Sequence, residues 1–316
     1  MNQKPLIGIS TCLLGENVRY DGGHKLDRYL RDTLGMYVEF VPVCPEVECG
    51  MTIPREALDL VFMNGTVHLM TQKTKTNMTP RMNKWMHKKI AELSDMPLCG
   101  FILKSKSPSC GLLKVKVFKE NDGFYKNGVG IFAKGLTDRF PLLPVEEEGR
   151  LHDNRLRENF IERLFFMQRW HKMIEERKSL NNVMDFHARH KYILMAHCPK
   201  TLRALGAGIA QGKLHPIKDV YEGYFRTCMA ALGKIATVKK NTNVLQHIMG
   251  YFRNNLTKDE KEELQDIITG YHEELFPLIV PITLLNHYVR KYRPRYLEEQ
   301  MYLNPHPMEL MLRNHV

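Results

Sequence analysis

Three of the seven cysteines stand where a strand-like run gives way to a turn. Leu6-Ile7-Gly8-Ile9 leads to Cys12, Tyr37 to Val43 leads to Cys44, and Leu98 to Leu103 leads to Cys110. Thiolates are soft ligands that suit zinc or an iron–sulfur cluster. Three of them without a fourth leave one coordination position open to a substrate, as in catalytic rather than structural metal sites. Cys49, five residues after Cys44, is read either as a fourth ligand or as a bystander. Cys99 falls inside the third strand and is expected to be a small buried thiol, and Cys198 and Cys228 are expected to pack within helices. Seven is an odd number and no CxxC pair is present, so neither a disulfide framework nor a dithiol redox centre is indicated.

Chemistry at such a site needs a group that moves protons. Glu46, two residues after Cys44, is the first candidate: a carboxyl in a cleft beside thiolates is expected to be raised toward neutral pH, where acid and base work is efficient. The competing reading is that it caps the following turn. Ser107 and Ser109, in the loop before Cys110, offer hydroxyls to a water or a base ring, although Ser107-Pro108 also reads as ordinary turn chemistry. Lys104, Arg19 and Asp21 are further candidates for contact with substrate, with pairing of Arg19 to Asp21 as the alternative.

These residues need a scaffold that gathers them. The strand-like runs alternate with helical spacing at His24–Leu34 (Leu26, Leu30, Leu34) and Pro80–Leu93, the latter opened by Thr79 as cap and Pro80 at the first helical position. This β-α-β-α-β order predicts an α/β domain with a parallel sheet. The carboxyl ends of its strands lie on one edge, where open sheets place their ligand sites. Phe140 to Gly149, with two prolines and an acidic run, reads as a connector. The boundary is placed there, giving domains 1–145 and 146–316. From Leu151 onward the spacing is helical: Leu156, Phe160, Leu164, Met167 and Trp170 share a face. Asn182–His197, Tyr221–Leu232, Thr242–Asn254 and Ile282–Tyr292 follow, and Thr257 with Glu260 reads as a capping box. An all-α helical second domain is expected.

The chain carries a formal charge of +11, which favours a polyanionic partner. Residues 151–316 hold 25 Lys and Arg against 18 Asp and Glu, a net of +7. In this half, basic and aromatic residues interleave at His287, Tyr288, Arg290, Lys291, Tyr292, Arg293, Arg295 and Tyr296. Phosphate contacts from Arg290, Lys291 and Arg293 with stacking on tyrosine would suit an RNA, with Arg155, Arg157, Arg163, Arg169 and Lys239-Lys240-Asn241 as further candidates and a solvated helix face as the alternative for each. His187, His190 and His197 have helical spacing but no completing ligand, so packing or RNA contact is expected of them. No apolar run approaches the length of a membrane span, and a cytoplasmic protein is expected.

Ser10-Thr11-Cys12-Leu13-Leu14-Gly15 with Val18-Arg19-Tyr20-Asp21-Gly22 resembles the opening of the thiouracil desulfidase family. Val43-Cys44-Pro45-Glu46-Val47 with Pro54-Arg55, and Lys104-Ser105-Lys106-Ser107-Pro108-Ser109-Cys110-Gly111, match its second and third motifs. Cys49 departs from that pattern, where a glycine is usual. The second half resembles the YbgA-like domain at Glu146 to Leu151, Asn243 to His247, Gly250-Tyr251-Phe252 and Pro277 to Pro281. The fused arrangement is similar to bacterial desulfidases that strip 4-thiouridine from tRNA. The resemblance implies a [4Fe–4S] cluster on Cys12, Cys44 and Cys110, with the fourth iron free to bind the substrate sulfur. It also implies a hydrolytic desulfidation with no external electron donor, and tRNA containing 4-thiouridine as partner. Free thiouracil, or an RNA-binding protein with a structural metal, are the alternatives.

Overall fold

The computed structural model describes residues 4–120, 123–176 and 178–315. The chain divides into two compact units, Met1–Asp153 and Asn154–Val316.

In the first unit β1 (Leu6–Ser10), β2 (Glu39–Val43), β5 (Leu98–Leu103) and β8 (Val145–Glu147) form a sheet in the order β2-β1-β5-β8. All three pairings in it are parallel. Strand β5 is buried along its whole length, as its unbroken apolar run requires of a central parallel strand covered on both faces. Packing here is tight enough to exclude a methyl group: a Cβ on Gly8 of β1 would lie 2.1 Å from the Phe101 ring of β5. A second sheet, which the strand reading above does not contain, has the order β4-β3-β6-β7. It comprises β3 (Leu58–Met63), β4 (Thr66–Thr71), β6 (Val115–Lys119) and β7 (Phe124–Gly128). Its core gathers Leu58, Leu60, Leu69, Met82, Val115 and Val117.

Between the strands lie α1 (Pro45–Glu48), α2 (Thr79–Ser94) and α3 (Ile131–Arg139). The helix expected over His24–Leu34 is shorter and irregular, a π-turn at Tyr29–Thr33 passing into a 3-10 turn at Leu34–Met36. Asp27 and its neighbours are held instead by the Cys12 turn, as Asp27 N–H donates to the Leu13 carbonyl at 2.9 Å. Thr79 does not cap α2. Its hydroxyl accepts the Leu69 amide at 2.8 Å, and the Asn77 side chain takes the Thr79 amide at 3.0 Å. The stretch read as a connector is also structured. Val145–Glu147 pairs in register with Phe101–Leu103, so the first unit extends to Asp153 rather than to 145.

The second unit is helical: α4 (Asn154–Glu175), α5 (Leu180–His197), α6 (Pro199–Ala210), α7 (Ile217–Leu232), α8 (Val238–Met249), α9 (Lys258–His272), α10 (Ile279–Tyr292) and the short α11 (Arg295–Glu298). The capping box at Thr257 and Glu260 is present. Trp170 anchors the core, stacked on Phe225 at 4.9 Å and edge-on to Phe186 at 5.3 Å. His190 is buried, stacked on Phe186 at 3.9 Å, and accepts the Arg169 guanidinium at 2.9 Å, so it packs as expected. Cys228 is fully buried. Cys198 is not: it caps α6, and the Thr201 hydroxyl donates to its sulfur at 3.1 Å. No helix among the described residues is long and apolar enough to cross a membrane.

An internal charge network has a consequence for stability. Burial pushes the Glu158 carboxyl up to about 7 against the pull of Arg313. Raised from 4.5, it favours the protonated form in the folded state, so its contribution is complete below about 4.5 and is lost as pH climbs through 7. His197 acts in the same direction: burial opposes its charge, but Glu162 raises it overall. The thermal midpoint is expected to fall between pH 5 and pH 8, and Glu158→Gln to remove on the order of 1–3 kcal/mol of that fall. Melts of both proteins across this range check it; an unchanged slope in the variant would place the titration elsewhere.

Candidate active site

The strand register brings the first two cysteines together. Ser10 of β1 lies beside Val43 of β2; Cys44 follows one residue later on its strand, and Cys12 two residues later on its own. The order β2-β1-β5 sets Cys110, in the loop after β5, on the same carboxyl edge. The three thiols act on one another electrostatically. Burial is the main cause that raises Cys12 and Cys110; charge on Cys44 adds to the first, and charge on Cys12 and Cys44 to the second. None of them is in a disulfide.

Each cysteine is fixed by its own local device. Cys12 sits in the 3-10 turn Thr11–Leu14, closed by Gly15 at φ +97°, a conformation open to glycine. Its carbonyl accepts the Lys25 amide at 2.9 Å. Cys44 caps α1, and Pro45 starts the helix. The Cys44 amide donates to Glu48 at 2.9 Å, and Lys89 of α2 pairs with the same carboxylate at 2.9 Å. Cys110 hangs on a loop shaped by Ser107, whose hydroxyl accepts the Ser109 and Cys110 amides at 3.2 and 3.1 Å. The start of α3 completes this loop, as Ile131 and Phe132 donate their amides to the Pro108 and Ser109 carbonyls at 3.1 and 3.0 Å. Those amides have no partner inside their own helix.

Gly130 makes that docking possible. A Cβ there would lie 2.5 Å from the Ser109 carbonyl oxygen and 2.9 Å from the Cys110 nitrogen. Both are backbone atoms that cannot swing aside. Gly130→Ala is expected to lower stability by about 1–3 kcal/mol and to displace Cys110, reducing metal retention several-fold. Metal-to-protein ratio and melting temperature check this, and a variant unchanged in both would show that the loop yields freely.

The acidic run is a clamp on the same loop. Glu147, buried, accepts the Leu112 and Leu113 amides at 2.8 and 3.1 Å. Glu148 takes the Ser105 amide at 2.6 Å and its hydroxyl at 2.7 Å, and pairs with Lys104. Glu146 pairs with Arg150 at 2.7 Å. Lys104, expected to meet substrate, is therefore committed to Glu148 and Ser105, and its charge draws Cys12 downward.

Glu46, expected as a carboxyl beside thiolates in a cleft, is held by two side chains that the sequence reading did not assign to it. Arg55 grips one of its oxygens with two nitrogens, at 2.8 and 2.6 Å, and this pair is largely buried. Its other oxygen accepts the Ser109 hydroxyl at 2.9 Å. The Arg55 guanidinium also donates to the Val18 carbonyl at 2.9 Å, the group that faces the Cys44 thiol at 3.8 Å. Sequence reasoning assigned Arg55 no role. Its signal is the Pro54-Arg55 pair nine residues past Glu46. Ser10 was also missed: polar at the end of an apolar strand, it is buried, accepts the Lys104 amide at 2.9 Å and hydrogen-bonds the Cys110 thiol.

The remaining candidates fall outside this cluster or at its rim. Arg19 pairs with Asp21 at 3.5 Å and lies over Tyr20 at 5.3 Å. Asp21 is half-exposed and closes its own turn by accepting the Gly23 amide at 3.0 Å, so it is a turn residue. Cys49 donates to the Glu46 carbonyl at 3.3 Å and belongs to the core of the second sheet. In the helical unit Arg290 and Arg293 are exposed. Lys291 is taken by Glu260 at 2.7 Å, and Tyr288 is buried, so the basic–aromatic interleaving does not form one exposed stacking face.

Burial pushes the Cys12 thiol up to about 11, and raises Cys44 and Cys110 as well. Each is thus protonated by itself, and binding a metal would release the proton. Among the described residues no three His, Cys, Asp or Glu side chains gather closely enough for a single metal ion. Zinc needs every thiolate on one centre, at about 2.3 Å, whereas a cluster takes each thiolate on a different iron. Three thiols on one edge are a soft donor set of the kind that holds an iron–sulfur cluster.

Residues 7–148 match the 2-thiouracil desulfurase family. The chain belongs to that family. Residues 191–307 match a second family, described as a protein of unknown function, DUF1722. Over 153 residues the chain is 29% identical to the uncharacterized protein YbgA of Escherichia coli (strain K12), covering 48% of this chain and 90% of that one. Over 112 residues it is 30% identical to the uncharacterized protein YbbK of Bacillus subtilis (strain 168), covering 34% and 73%. Among solved structures it is similar to the [4Fe-4S]-dependent thiouracil desulfidase TudS, with 27% identity and a TM-score of 0.39. That match covers 48% of this chain and 95% of that one.

Proposed function

We propose that this member of the 2-thiouracil desulfurase family is a [4Fe–4S]-dependent desulfidase that converts 4-thiouridine in tRNA to uridine, releasing sulfide. The observation that carries the reading is the Arg55–Glu46–Ser109 chain set beside three unpaired thiols on one sheet edge. Cys12, Cys44 and Cys110 hold the cluster. When bound, it supplies a soft Lewis-acidic iron for the thiocarbonyl sulfur. The protein residues handle the proton. Glu46, gripped by Arg55, accepts a proton from an attacking water, directly or through the Ser109 hydroxyl it already receives. Ser107 keeps the Cys110 loop in place by its bonds to the backbone. Atoms balance as a hydrolysis: water adds at the ring carbon, the carbon–sulfur bond breaks, and hydrogen sulfide leaves with no change of oxidation state.

Support for a nucleotide rather than a free base comes from a groove beside Arg55 and from the charge of the chain. A groove of about 560 Å³ runs beside Arg55, lined by Tyr20, Pro54, Lys73 and Thr74, and Tyr20 is 42% exposed. It has room for a base and its ribose, and an aromatic face on which to stack them. A charge of +11 and exposed Arg290 and Arg293 suit a phosphate backbone. A second reading, a desulfidase of free thiobases, is favoured by the family's own description.

Anaerobic purification and cluster reconstitution, followed by sulfide release from 4-thiouridine tRNA, 4-thiouridine and 2-thiouracil, separates these. The expected result is turnover of the tRNA at a kcat/KM at least tenfold above the free compounds, falling steeply with salt. Equal or better turnover of free 2-thiouracil selects the second reading. No sulfide from any substrate by an iron-loaded protein overturns both.

A further inference from the structure

A cavity of about 380 Å³ lies within the helical unit, a size common among small-molecule sites. Helices α4 and α8 both begin on it. Arg155 and Glu158 come from the first turns of α4, and Thr237 and Lys239 from the start of α8. Two helix N-termini and two exposed cations make this end of the cavity attractive to a phosphate. The other end is different. Glu162, His197 and Arg313 line it and are 4%, 1% and 4% exposed. Glu162 Oε1, His197 Nε2 and Arg313 Nε make no hydrogen bond. They meet counter-charges only at 3.4 Å, His197 with Glu162 and Arg313 with Glu158. Buried polar atoms are seldom left so.

The two ends together restrict the ligand. A plain anion would be repelled by Glu162, and a plain cation by Arg155, Lys239 and Arg313. A free amino acid has both charges but leaves most of the cavity empty. We propose that this cavity binds a nucleoside monophosphate unit whose base carries an exocyclic amino group, with its phosphate at Arg155, Lys239 and the start of α8 and its amino edge at Glu158 and Glu162. A carboxylate accepts an N–H of such an exocyclic amine. Uracil offers it one N–H between two carbonyl oxygens, which repel it. Cytidine and uridine monophosphates differ at this edge and are otherwise closely matched, so they test the assignment.

The test titrates the full-length protein calorimetrically with CMP, UMP, cytidine and inorganic phosphate. CMP is expected to bind at least tenfold more tightly than each of the other three. Arg155→Ala with Lys239→Ala, both at exposed positions, should weaken CMP at least tenfold with an unchanged melting temperature. Glu162→Gln should erase the preference for CMP over UMP. Should that buried variant unfold, the exposed double variant still decides. Absence of CMP binding at millimolar concentration, equal binding of CMP and UMP, or phosphate alone binding as tightly as CMP overturns the proposal. Competition with unmodified tRNA identifies the source. Displacement of CMP assigns the nucleotide to an RNA chain, and no displacement assigns it to the free pool; either result requires the cavity to be a nucleotide site. These readouts need no sulfide release, so they stand or fall apart from the desulfidase reading.

Discussion

Serine in place of Cys110 is expected to strip the protein of its iron and to lower sulfide release at least 10³-fold. Cys110 is 6% exposed, tied to Ser10, and carried on a loop that Ser107, α3 and Glu147 hold rigid. A hydroxyl there is a hard, weakly acidic donor where iron wants a soft thiolate, and a rigid loop cannot bring another ligand in its place. Cys12→Ser and Cys44→Ser should behave alike, because each occupies its own position on the shared edge. Cys49→Ala is the control. Its thiol donates to a backbone carbonyl and packs in the core of the second sheet, so it should cost about 1 kcal/mol of stability and leave iron content unchanged. Iron and acid-labile sulfide per chain, with the visible spectrum, report all four variants. If Cys110→Ser keeps its iron while Cys49→Ala loses it, the ligand assignment is wrong.

Glu46→Gln is expected to retain the cluster and lose 10²- to 10⁴-fold in turnover, the range associated with removing a positioned proton acceptor. The amide oxygen can still accept from Arg55 while the new NH2 donates to the Ser109 hydroxyl, reversing that bond, so position is largely kept while basicity is lost. The change leaves the buried Arg55 charge without its counter-ion, which costs about 3–5 kcal/mol; melting temperature must therefore be recorded beside the rate. Arg55→Lys separates position from charge. A lysine cannot grip one oxygen with two nitrogens and reach the Val18 carbonyl as well. Turnover should fall about tenfold or more with iron and KM little changed, as befits a residue that acts through Glu46. Full activity in Glu46→Gln at full iron loading would remove it from the reaction.

How far the site was legible in the sequence depended on the range of the interactions that make it. Leu98–Leu103 was readable as a buried strand because an unbroken apolar run needs no distant partner to declare itself, and the Thr257–Glu260 box because both residues lie in one turn. The position of each cysteine just past a strand end was enough to place all three on one edge, since parallel strands share their direction. The partners of Glu46 were not legible for the opposite reason. Its environment is set by Arg55, nine residues on, and by Ser109, sixty-three residues on, and neither distance has a local signature. The acidic run looked like a linker because three adjacent carboxylates are usually solvated. Here each finds a cation or a row of amides on a segment about forty residues away, or on the next turn.

Taken alone, the chain's order of residues determined which side chains are available for chemistry, the parallel α/β character of the first unit, the helical character of the second, and a positive charge suited to a polyanion. Tertiary structure decided which carboxylate is paired, which serine is free to donate, that Lys104 and Asp21 are spent on local contacts, and that Tyr288 is core. Those outcomes turn on which groups lie within about 3 Å of one another, the range over which hydrogen bonds act. That proximity is a property of the packed chain, set by strand register and loop docking.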